Sequence, residues 1–367
     1  MLLNKYNMKK IFLFSILLFL TKSYCQRLNP IVDSLFYAKK NSLKIINPNL
    51  GVSIGILYQG KNYYYNFGNR NKEEKKPINE NIVFEIGSNT KIFTALLLAN
   101  EIVKNKIKQF DYIDPYLPKN SLNDSISNKI KITDLVTHSS GLPTLHGDKY
   151  DDENNKIDSI QPYRNIDNAY LLNILKKTNQ LEKYHQYNYS NYNWALLGMI
   201  FSKLNNNSFE NLLENEILKP LNLSNTSCKT IETKNVAGRY DSDGNKTDYM
   251  ILNDLNPAGI LKSNSVDLLT LLKNEIYSEK SVLKKAIVKS QEILFTNEDL
   301  SMAFGWHIFN QKGNQIYLNQ GDTLGNSTLI AFDKKNEIGI VILLNQQDHN
   351  LTGGIFDYLY NQILKLD

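Results

Sequence analysis

Hydrophobic and polar positions along this chain follow two periods, and the pattern switches twice. Between residues 31 and 46, Ile31, Leu35, Phe36 and Leu43 recur at helical spacing, and Asn47-Pro48 closes the run. Two strands are predicted next, at Val52–Tyr58 and Asn62–Phe67, joined by a turn at Gln59-Gly60-Lys61. The middle of the chain reads as helix, with periods near 3.6 through 91–104, 167–177, 194–204, 209–218 and 266–276. Polar stretches rich in Asn, Asp, Ser and Lys separate these helices, and the longest, 146–165, is expected to be surface loop. Beyond about residue 300 the pattern returns to strands, at 303–309, 315–318, 327–332 and 338–344, and a closing helix is predicted at about 355–366.

Strands at both ends with helices between them predict an α/β chain of the α+β kind. A single antiparallel sheet drawn from about 30–85 and 296–367 would be flanked by N- and C-terminal helices, with a helical region, about 86–295, inserted between its halves. There is no repeat at a fixed period and no low-complexity linker, so residues 26–367 are read as one domain. With 367 residues, 42% of them apolar and 22% charged, the chain can bury a sizeable core and is too apolar to be disordered.

Its net charge of +5 invites a nucleic-acid reading until the charge is located. Lys5, Lys9 and Lys10 precede an apolar run from Ile11 to Leu20, and Ser23 and Cys25 sit three and one before Gln26. This is the pattern of a secretory signal over residues 1–25, too short to span a bilayer, with Met1 or Met8 as its start. Without it 38 basic residues face 37 acidic ones, a net of +1. The expectation is therefore an exported protein, periplasmic or secreted, with no nucleic-acid partner and no stable membrane anchor after cleavage. One cysteine, Cys228, remains after such a cut, which excludes an internal disulfide and carries no thiol-enzyme context.

Three serines compete as nucleophile. Gly51-Val52-Ser53-Ile54-Gly55 matches G-x-S-x-G, but a strand and hairpin follow where that motif needs a turn into a helix, so Ser53 is read as a strand position. Ser88-Asn89-Thr90-Lys91 opens an apolar helix, which would place Lys91 one turn on, facing the Ser88 hydroxyl. A buried lysine of lowered pKa could take that proton, and the helix N-terminus would favour a developing oxyanion. Ser281-Val282-Leu283-Lys284 has the same spacing, and a helix cap beside a solvated lysine accounts for it. Ser88 stands apart by its company. Tyr189-Ser190-Asn191 precedes another apolar helix and offers a proton-relaying phenol and an amide donor for a substrate carbonyl. His146, His185, His307 and His349 show no metal-ligand spacing with one another or with Cys228, Asp151-Asp152-Glu153 reads as a solvated loop, and no cofactor signature is present.

Taken together, Ser88-x-x-Lys91, Tyr189-x-Asn191, the stretch Ile132–Pro143, Ala237-Gly238-Arg239-Tyr240 and Asn256–Gly259 with Ser263 and Asp267-Leu268 resemble the serine β-lactamase and penicillin-binding-protein superfamily, in its class C-like branch. The resemblance runs from about residue 30 to the C-terminus. It implies catalysis by Ser88, Lys91 and Tyr189, substrate binding by Asn191, and a supporting structural role for His138. The third family motif departs from the pattern: Asn319-Gln320-Gly321, with Gly325 beyond, stands where Lys-Thr-Gly or His-x-Gly is usual. Resemblance assigns Asn319, Gly321 and Asp322 to substrate binding, with the N–H groups of Ser88 and Asp322 as an oxyanion hole. Asn319 brings no cation for a substrate carboxylate, and Asp322 is expected to repel one. Ala258-Gly259-Ile260 also replaces the family's Ala-Gly-Gly. The implied activity is a cofactor-free serine hydrolase acting on a small ester, amide or D-amino-acid peptide. The alternatives are a D-alanyl carboxypeptidase, penicillin-binding protein or β-lactamase, and an inactive binding protein of the same fold.

Overall fold

Ten strands can be traced in the computed structural model, which describes residue 30 and residues 50–145, 160–229 and 235–366. The expected signal, the helix at 31–46, His146 and the acidic run at 151–153 lie outside the described residues. The chain divides into two compact units, residues 49–352 and residues 1–48 with 353–367. Apart from residues 353–363, everything described below lies in the first.

The strands are β1 (Val52–Tyr58), β2 (Lys61–Phe67), β3 (Phe84–Glu85), β4 (Lys262–Ser263), β5 (Phe295–Thr296), β6 (Ser301–Met302), β7 (His307–Gln311), β8 (Asn314–Asp322), β9 (Ser327–Asp333) and β10 (Ile338–Leu344). Eight of them form one antiparallel sheet in the order β2-β1-β10-β9-β8-β7-β6-β5, while β3 and β4 pair separately. The two ends of the chain meet as expected: β1 runs against β10, Val52 facing Leu344 and Tyr58 facing Ile338. β1, β9 and β10 are buried along their whole length, which explains their nearly unbroken apolar runs.

Helices among the described residues are α1 (Thr90–Val103), α2 (Ile132–Val136), α3 (Asn168–Lys177), α4 (Asn191–Asn205), α5 (Phe209–Leu213), α6 (Asn256–Gly259), α7 (Ser265–Ile276), α8 (Lys284–Ser290) and α9 (His349–Ile363). α1 is buried from Thr90 to Glu101, so it is a central helix with no solvated face. It packs against α4, α6 and α8, while α7 lies on β1, β9 and β10. A continuous apolar core joins these helices to the sheet.

Several element boundaries differ from the sequence reading, for local reasons. Residues 303–306 turn rather than extend, with the Ala303 N–H bonded to Trp306 O at 3.0 Å, so that strand starts at His307. The strand expected at 315–318 continues to Asp322 because the polar third motif is paired throughout with β9. The helix expected at 209–218 changes to a π turn over Glu214–Leu218, and the closing helix starts at His349. β3 to β6 are two residues each, too short to leave a periodic signal.

Candidate active site

Gly87–Asn89 forms a single 3-10 turn that leads directly into α1, placing Ser88 at the start of a buried helix. Gly87 has φ of +49°, and a Cβ there would meet Asp322 O at 2.5 Å. From the other side, a Cβ on Gly321 would lie 2.1 Å from Ile86 O and 2.9 Å from Ser88 N. Only glycine backbone allows β8 and the Ser88 turn to pass this closely. That contact brings the Ser88 and Asp322 backbones to one end of the same cleft, about 470 Å³ in volume.

Lys91 is one turn along α1 and buried. Its Nζ lies 2.9 Å from Ser88 Oγ, 2.9 Å from Asn191 Oδ1 and 2.8 Å from Ala258 O. Two of these partners are carbonyl oxygens that only accept. A neutral amine has two N–H bonds and one lone pair, so satisfying both carbonyls leaves the lone pair directed at the Ser88 hydroxyl. Burial pushes the Lys91 amine well below its usual range, which favours that neutral form. Tyr189 donates its hydroxyl to Ser88 Oγ at 2.5 Å, and burial raises its phenol far above the usual value, keeping it a donor. Ser190 caps α4 by accepting from the Asn193 N–H, which holds Tyr189 just before the helix and Asn191 in its first turn. Asn191 thus anchors Lys91 through Oδ1, while its Nδ2 faces Tyr163 OH at 3.5 Å across the cleft.

Asn319 is buried and turned inward, donating Nδ2 to Ser88 O at 3.0 Å and Asn89 Oδ1 at 3.2 Å. The Asp322 carboxylate has partners of its own. Its Oδ1 accepts from Ser327 Oγ, and its Oδ2 meets His349 Nδ1 at 2.7 Å, a pairing that only the fold brings about.

The competing residues are placed elsewhere. Ser53 is buried in β1, bonded to Asn66 Oδ1 and to Ser265 Oγ. Ser281 accepts from the Leu283 N–H ahead of α8, and Lys284 pairs with Glu279 on the surface. His138 accepts from the Ser190 N–H through Nδ1 at 2.9 Å and stacks on Tyr189 at 4.5 Å. It thereby supports the Tyr189 segment. Burial lifts the Cys228 thiol to about 12, the opposite of activation. Among the described residues, no group of three His, Cys, Asp or Glu could hold a metal ion. Residues that sequence reasoning did not place in the cleft are Tyr163, His307 and His349. They are scattered along the chain, and no spacing signal links them to Ser88.

A family model described as Beta-lactamase matches residues 48–359. The chain belongs to the beta-lactamase family. A beta-lactamase of Pseudomonas fluorescens is 29% identical over 296 residues, covering 77% of this chain and 75% of the relative. A beta-lactamase of Escherichia coli (strain K12) is 25% identical over 339 residues, covering 82% and 85%. Among solved structures, a class C beta lactamase from Rhodobacter sphaeroides matches with a TM-score of 0.79 at 21% identity, over 89% of this chain and 98% of that one. At that identity the likeness speaks for the fold: the antiparallel sheet with helices of a class C enzyme. The resemblance read from the motifs and the α+β fold class are both borne out. This beta-lactamase-family chain is a serine hydrolase by family.

Proposed function

We propose that this protein is an exported hydrolase that cleaves a small ester or amide through an acyl-enzyme on Ser88. The observation that carries the reading is the partner set of Lys91, two fixed carbonyl acceptors with the Ser88 hydroxyl as third neighbour. Ser88 Oγ attacks the carbonyl carbon as its proton passes to Lys91 Nζ. The Ser88 and Asp322 N–H groups hold the oxyanion. As the tetrahedral intermediate collapses, Tyr189 gives its proton to the leaving oxygen or nitrogen and regains one from Lys91. Water then attacks the acyl carbon, losing a proton to the same base, and Ser88 recovers its own. Asn191 Nδ2 offers a donor to the acyl group. Export rests on the signal pattern of residues 1–25 and predicts a mature chain beginning at Gln26.

The test is labelling of the purified mature protein with a fluorophosphonate, followed by peptide mass mapping. A single adduct on Ser88, lost in Lys91→Ala, is expected. An adduct on Ser53, or hydrolysis of p-nitrophenyl esters that survives Ser88→Ala, would overturn the assignment. Relatives named beta-lactamase favour a second reading, in which the acyl donor is a β-lactam. Rapid turnover of a chromogenic cephalosporin would select that reading, and a long-lived penicillin adduct would select a penicillin-binding protein.

A further inference from the structure

We propose that Tyr187, His307 and Asn319 form a hydrogen-bonded relay that braces the Ser88 turn where a cation would otherwise stand, so that the cleft selects acyl donors lacking a carboxylate at that end. The inference rests on the serine-hydrolase reading above.

His307 opens β7 opposite Leu318 of β8, one residue before Asn319. Tyr187 OH lies 2.8 Å from His307 Nε2, and the ring also hydrogen-bonds the Asn319 side chain. Asn319 commits its Nδ2 protons to Ser88 O and Asn89 Oδ1, so its oxygen is what remains for the ring. The imidazole must therefore donate to Asn319 and accept from Tyr187, and one ring proton on Nδ1 satisfies both. Asn89 continues the chain by donating to Thr328 Oγ1 at 2.8 Å, which ties the Ser88 turn to β9.

The groups facing the imidazole favour its neutral form. Burial lowers His307 to about 4, against the bonds to Asn319 and the Leu318 backbone. Tyr187, itself raised to about 12 by burial, stays a hydroxyl donor, and the Phe309 ring stacks on the imidazole. A lysine at 319 has no acceptor for the imidazole proton, which would then be left to the Leu318 carbonyl alone. Among the described residues lining the cleft there is no Lys or Arg, and Met250, Leu252, Leu255, Phe309 and Leu318 form an apolar wall. His349 is paired with Asp322 through Nδ1 at 2.7 Å. A donor with a carboxylate would lose its hydration here without gaining a charge-assisted partner.

The experiment compares p-nitrophenyl butyrate with p-nitrophenyl hemisuccinate, alike in acyl length and different in charge. The unmodified enzyme is expected to favour butyrate by about tenfold or more in kcat/KM. His307→Leu is expected to lower kcat on butyrate by about tenfold with little change in KM, and His307→Gln, which can accept and donate in the same places, to restore most of it. Tyr187→Phe should shift kcat in the same direction and covers the case in which the leucine variant does not fold. Preference for hemisuccinate, or leucine and phenylalanine variants within twofold of the parent, would overturn the proposal. Nitrogen NMR of His307 in Ser88→Ala reads the relay without turnover: a neutral ring protonated on Nδ1 at pH 7 is expected, and the other tautomer or an imidazolium refutes it. If Ser88 takes no label and no ester is hydrolysed, the hydrolase reading falls and the selectivity falls with it. The expected tautomer without the expected selectivity defeats this inference alone.

Discussion

Lys91 behind Ser88 and Glu275 at the end of α7 are both buried ionisable side chains moved far from their usual range by desolvation. Their surroundings differ in kind. Lys91 meets two carbonyl acceptors and a serine hydroxyl beside an open cleft. Glu275 accepts from Gln291 Nε2 at 2.7 Å through Oε2, while its Oε1 is buried with no hydrogen-bond partner. Lys334, whose charge acts on Glu275, bonds instead to Gln291 Oε1 at 3.1 Å and Ser278 Oγ at 3.2 Å. Burial alone perturbs both groups. Only the arrangement of donors and acceptors turns one perturbation into a base, so a shifted pKa marks a candidate and geometry decides it.

The sharpest way to break this contrast is Lys91→Met, which removes the base and keeps the chain length. Ester hydrolysis is expected to fall at least a thousandfold, about 4 kcal/mol of transition-state stabilisation, and fluorophosphonate labelling of Ser88 should vanish. Residual activity within tenfold of the parent would make Lys91 a buried structural group like Glu275.

A smaller effect is expected from Gly321→Ala, which leaves all ionisable groups in place. The new Cβ would sit 2.1 Å from Ile86 O and must push β8 away from the Ser88 turn. That displacement should cost about a hundredfold in kcat/KM and about 1–3 kcal/mol of stability. An alanine variant with parental kinetics would show that the close approach is not what assembles the oxyanion site.

Glu275→Gln sharpens the other side of the comparison. The folded carboxyl titrates at about 7, against an ordinary value of 4.5. Because the folded state binds this proton more tightly than the unfolded chain, stability falls as pH rises from 4.5 to 7 and the loss is complete above 7. The 2.5-unit difference corresponds to about 3 kcal/mol. Denaturant titrations across that window should show the decline in the parent and its disappearance in Glu275→Gln, with hydrolysis changed less than twofold. An unchanged pH profile of stability would mean that Glu275 is ionised at neutrality and compensated.

Legibility from the sequence depended on how local the signal was. The spacing of Ser88 and Lys91 is one helical turn, and Tyr189-x-Asn191 sits at a capped helix start, so both groups could be read before any fold was known. The sheet strands β1, β9 and β10 were equally plain, since burial on both faces demands unbroken apolar runs. His307 was not legible as a cleft residue. Its register partner is Leu318, its bond to Asn319 is a tertiary contact, and single positions along a chain carry no trace of either. The partners of Asp322, Ser327 and His349, were not legible either, because they reach it across a hairpin and from the start of α9.

By itself, the order of apolar periods determined an antiparallel sheet drawn from both chain ends with helices between them, and the motif spacings determined which serine, lysine and tyrosine to set together. Those properties follow from short-range geometry, the rise and twist of one element, which is encoded in neighbouring residues. Tertiary structure decided the rest: that Lys91 is desolvated by burial and held by Asn191 and Ala258, that Asn319 faces inward to the Ser88 carbonyl, and that His307 bonds to it. Each depends on residues tens to hundreds of positions apart meeting in a desolvated space, where the number of acceptors left open determines which proton can move.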